Sequence, residues 1–177
     1  MRVLQWLGIL EADRPASDAQ ALAAIEAQLE SLDPARARFL ACFAYLLGRV
    51  ARADHDVSDV EAQEMVRLVA ERAALPAEQT ALVVEIATAH GLRFGGTDDF
   101  LIAREFGALA SPAEKLALLD CLFAVSAADR AIRNIEDNEI RRIAAELQIG
   151  HQEYIAVRAA HAAHLDARRR SPDPDRV

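Results

Sequence analysis

The stretch Val50-Ala51-Arg52-Ala53-Asp54-His55-Asp56-Val57-Ser58-Asp59-Val60-Glu61 decides the fold, because the chain uses it twice. Val125-Ser126-Ala127-Ala128-Asp129-Arg130-Ala131-Ile132-Arg133-Asn134-Ile135-Glu136 follows at an offset of 75 residues, with Asp129 under Asp54. In that register Leu47 meets Leu122, Val50 meets Val125 and Ala53 meets Ala128, while Glu61, Glu64 and Arg67 meet Glu136, Glu139 and Arg142. Val57, Val60, Met65 and Leu68 meet Ile132, Ile135, Ile140 and Ile143. A helical period by itself aligns apolar positions. It does not align charges at the same time, so the register is read as an internal repeat.

Each copy has the same parts. Phe39, Leu40, Cys42, Phe43, Leu46, Leu47 and Val50 cover more than one face of a helix over about 35–53, so that helix is expected to be central and buried on most sides. Ser58 with Glu61 three residues on forms a capping box, which starts a second helix running to about Ala74. A bend of seven or eight residues makes the two helices neighbours. Two such hairpins packed face to face would bury both apolar helices.

Outward from the repeat, only helices are found. Ala21, Leu22, Ile25, Leu29 and Leu32 set a helix over about 17–32, and Asp33-Pro34 restarts the chain with an N-cap and a proline at the first helical position. Pro76 opens a helix ending near Gly91, Gly95-Gly96 is a hinge, and Thr97-Asp98-Asp99 caps a helix to Ala110. Ser111-Pro112-Ala113-Glu114 is a second capping box, opening a helix that ends at Asp129. Helices over about 134–147 and 150–168 follow, and no period-two strand pattern occurs. The fold class is all-α. The domain plan is an N-terminal segment over 1–16, a single helical domain over 17–168 and a charged, proline-broken, disordered tail over 169–177.

Composition narrows the function. Of 177 residues, 53% are apolar, enough for a core without staples, and the net charge of −8 argues against a nucleic-acid surface. Cys42 and Cys121 sit in apolar runs and read as reduced core thiols. The run Val3 to Leu10 is too short and too interrupted for a signal peptide or a spanning helix, so the expected location is cytoplasmic. Trp6, Leu7, Ile9 and Leu10 could still touch a membrane-bound complex.

The doubled bend resembles the TerB-like fold, which includes tellurite-resistance TerB proteins and the N-terminal region of DjlA-type membrane co-chaperones. Its hallmark is a repeated pattern of apolar residue, Ala, Asp, Gly, x, Ile/Val, three further residues and Glu between helices. The similarity spans roughly Phe39 to Ile149. It implies a bundle of about seven to nine helices with two pseudo-repeated hairpins, a non-catalytic role in stress response or protein interaction, and divalent-metal binding at the bends. The matching positions are Asp54 and Glu61 in the first copy and Asp129 and Glu136 in the second. His55 and Arg130 stand where the family has glycine, and Ala131 stands opposite Asp56, so the second bend has the poorer ligand set.

Read from its residues alone, the first bend offers Asp54, Asp56, Asp59 and Glu61, oxygen donors that suit calcium or magnesium. His55 could add a nitrogen for zinc. It is no EF-hand, since Asp59 and Met65 stand at the glycine and final glutamate positions. The alternative is that these acids only cap helix starts. His161 and His164, one turn apart with His151 upstream, read as surface histidines. No serine has a glycine-framed elbow, and there is no phosphate-cradling loop, no Rossmann fingerprint and no His-Pro-Asp signature of a J-domain. The expectation is a protein without catalytic activity or nucleotide cofactor. It would work through an unidentified protein partner, with a divalent cation (Ca, Mg or Zn) as its one candidate ligand.

Overall fold

The computed structural model describes residues 4, 7, 16–52, 57–89, 97–128, 132 and 134–165. Among them the chain is all helix: α1 (Ala16–Glu30), α2 (Pro34–Ala51), α3 (Asp59–Arg72), α4 (Ala77–Thr88), α5 (Thr97–Leu109), α6 (Pro112–Ala127), α7 (Asn134–Glu146), α8 (His151–Ala160) and the single turn α9 (Ala162–Leu165). None of these helices is long and apolar enough to cross a membrane. Asp54, Asp56 and Asp129, the Gly95-Gly96 hinge and the charged tail lie outside the described residues.

Local chemistry sets the helix starts. Asp33 Oδ1 accepts from the N–H groups of Ala35 (2.9 Å) and Arg36 (3.3 Å), and Pro34 fills the position that needs no donor. Both capping boxes form: Glu61 Oε2 accepts from Ser58 N at 2.6 Å, and Glu114 Oε2 from Ser111 N at 2.8 Å. The last expected helix is interrupted at His161 and resumes for one turn to Leu165, residues 166–168 lying outside the described residues.

α2 is the central helix. Every residue from Phe39 to Val50 is buried, with α4, α5, α6 and α7 packed around it. Phe39, Phe43 and Phe106 form an aromatic cluster with ring centroids 5.2 to 6.3 Å apart. The repeat survives in three dimensions. α3 and α7 begin at Asp59 and Asn134, one repeat apart, and bury the equivalent stripes Met65, Leu68, Val69 and Ile140, Ile143, Ala144. Each then leaves the helical conformation through a non-glycine residue at positive φ, Ala74 (51°) and Gln148 (56°).

The packing of the halves departs from two closed hairpins. α3 packs chiefly against α4 and α6, and α7 packs against α2 as well as α6 and α5. The first return helix, α3, thus crosses to the core helix of the other half, while α7 stays on its own core helix α6 and reaches α2 as well. The girth of α2 is already taken by α4, α5 and α6, and the narrow apolar stripe of α3 is satisfied by the crevice between α4 and α6.

The helices alternate in direction. Arg36, near the start of α2, reaches Gln79 of α4 at 2.6 Å and Glu114 of α6 at 3.9 Å, while Arg52 at the end of α2 donates to the Ala89 carbonyl after α4. α5 runs against α2, with Arg38 on Glu105 and Tyr45 on Asp99. Lys115 of α6 reaches the Leu147 carbonyl just after α7. The starts of α3, α5 and α7 therefore share one end of the bundle.

Candidate functional site

That end is organised around an arginine inside the apolar run. Arg49 lies near the end of α2 with its side chain only 1% exposed. Its Nε donates to Glu139 Oε1 at 2.9 Å, its Nη2 to the same oxygen, and its Nη1 to Glu146 Oε2 at 2.9 Å. Asp99 Oδ2 lies 3.7 Å from Nε, and the other oxygen of Asp99 accepts from the Tyr45 hydroxyl at 2.7 Å. One guanidinium thus joins α2 to the first turn of α5 and to two turns of α7. Burial opposes its charge, but the hydrogen bonds it donates to Glu146 and Glu139, with the nearby carboxylate charges, outweigh that and raise its pKa. Burial, then the bond to Asp99, pushes the Tyr45 hydroxyl well above its ordinary range.

A second polar cluster locks α3 and α8 onto α6. Asp120 Oδ2 accepts from Arg72 at 2.7 Å, and Asp120 Oδ1 lies 2.6 Å from His161 Nε2. The His161 ring is stacked on Phe123, centroids 5.6 Å apart. Desolvation would raise the carboxyl pKa of Asp120, but the bonds from His161 and Arg72 win and lower it. His161 is 6% exposed, so its reading as a surface histidine is corrected: the helix breaks there and turns the ring inward. His151 is exposed, and the side chain of His164 lies outside the described residues.

Of the bend residues singled out from the sequence, Glu61 and Glu136 are described. Glu61 serves the capping box of α3, its Oε2 accepting from both the backbone N–H and the hydroxyl of Ser58. Glu136 is half-buried in the first turn of α7. Each belongs to its own return helix. Asp59 is exposed in the first turn of α3, and among the described residues no group of three or more His, Cys, Asp or Glu is placed to hold a metal. Asp99, expected only to cap a helix, belongs to the Arg49 cluster. Cys42 and Cys121 are buried thiols that desolvation pushes up to about 12, far from a reactive thiolate. At the N-terminus, Leu4 and Leu7 are buried in the core, so Leu7 is not an exposed contact; Trp6, Ile9 and Leu10 lie outside the described residues.

Arg49 escaped the sequence reading, and His161 was singled out there but misplaced on the surface. The one available signal for Arg49 was a permanent charge inside a run of buried side chains, which demands a partner.

Comparison with known proteins gives one family. The family described as tellurite resistance protein TerB matches residues 39–159, from the central helix through α8. No curated protein and no solved structure matches significantly. The match covers both bends, both return helices and the Arg49 cluster, stopping two residues short of His161, and the chain belongs to the TerB family.

Proposed function

We infer that this TerB-family protein is a non-catalytic interaction module of a stress-response system. Its first bend takes a divalent cation, and it acts by binding a protein partner. One observation carries the reading: the buried charged side chains are spent on one another. Arg49 is held by Asp99, Glu139 and Glu146, and His161 by Asp120. Groups held in this way fix helices in place and are not poised as a base or nucleophile.

The chemistry of the donors fits a hard cation at the first bend better than at the second. Asp54 and Asp56 would supply the carboxylates there, with Glu61 bracing the return helix through its capping box. At the second bend Asp129 and Glu136 have Ala131 in place of a second aspartate. Calcium, magnesium or zinc at about a hundred times its Kd should raise the melting temperature of the full chain by roughly 5–10 °C. The shift should vanish in Asp54→Ala with Asp56→Ala and persist in Asp129→Ala. No shift at millimolar concentrations of any of the three ions removes the cation from the account.

A further inference from the structure

We draw no further inference here: the strongest candidate, the surface patch of exposed apolar side chains Val60, Phe100, Leu101 and Ile135 at the starts of α3, α5 and α7, carries none because nothing in the structure shows what covers it.

Discussion

The two return helices carry the same charged triplet and use it differently. In α3 it is Glu64, Arg67 and Glu71; one repeat later in α7 it is Glu139, Arg142 and Glu146. Arg67 closes on both glutamates of its own helix, all three side chains being 40% to 54% exposed. In α7 the glutamates turn instead to Arg49 of α2, with side-chain exposures of 23% and 11%, and Arg142 pairs with Glu146 at 3.3 Å. The difference lies on the facing core helix. α7 crosses α2, which presents Arg49, whereas α3 crosses α6, where the equivalent position is Ala124. One substitution on a core helix separates a solvated triplet from a buried cluster, while the backbone repeat stays the same.

The largest effect should come from the buried member. Arg49→Ala leaves Asp99, Glu139 and Glu146 without their shared cation and should cost about 3–5 kcal/mol in urea unfolding. Arg67→Ala should leave the urea midpoint unchanged within error. Equal losses from the two would erase the distinction between the helices.

The second crossing has its own lock. His161→Ala removes a ring stacked on Phe123 and one of the two partners of Asp120, and should cost about 2 kcal/mol. The folded-state pKa of Asp120 is lowered, so its stabilisation is present above the unfolded carboxyl value and is lost as pH falls through the folded one. The advantage of the wild type over Asp120→Asn, read by urea unfolding across pH, should therefore be full near neutrality and shrink below about pH 4. An advantage that grows toward acid would contradict the pairing.

The smallest effect sharpens the comparison at the helix ends. Ala74→Gly and Gln148→Gly each relieve a side chain held at positive φ and should stabilise by about 0.5–1 kcal/mol, similarly in the two halves. Destabilisation at one site alone would show that the two turns are not equivalent.

The sequence made the scaffold legible and left its polar interior hidden, for a physical reason. Capping boxes at Ser58 and Ser111, the proline after Asp33 and the buried girth of α2 are local, set by side chains within four residues or one helical face. The partners of Arg49 in α7 are 90 and 97 residues away, and Asp120 is 41 from His161. No local pattern encodes such pairs. The repeat did reveal the glutamate at 139, but a matching Glu64 on an exposed face carries no sign that its counterpart is buried. The second hairpin, α6 with α7, is kept, whereas the first opens and α3 crosses to α6, because the space beside α2 is taken by α4 and α5, outside the repeated bend. Of the candidate metal ligands, Glu61 was legible through its capping role, whereas Asp54, Asp56 and Asp129 are known from the sequence pattern alone.

Native-state amide hydrogen exchange on the wild type and Arg49→Ala tests the asymmetry between the halves most directly. Protection should fall in α7 and in the first turn of α5, the segments Arg49 holds, with α3 keeping its wild-type protection relative to the rest of the bundle. Equal loss in α3 and α7, or undiminished protection in α7, would contradict it.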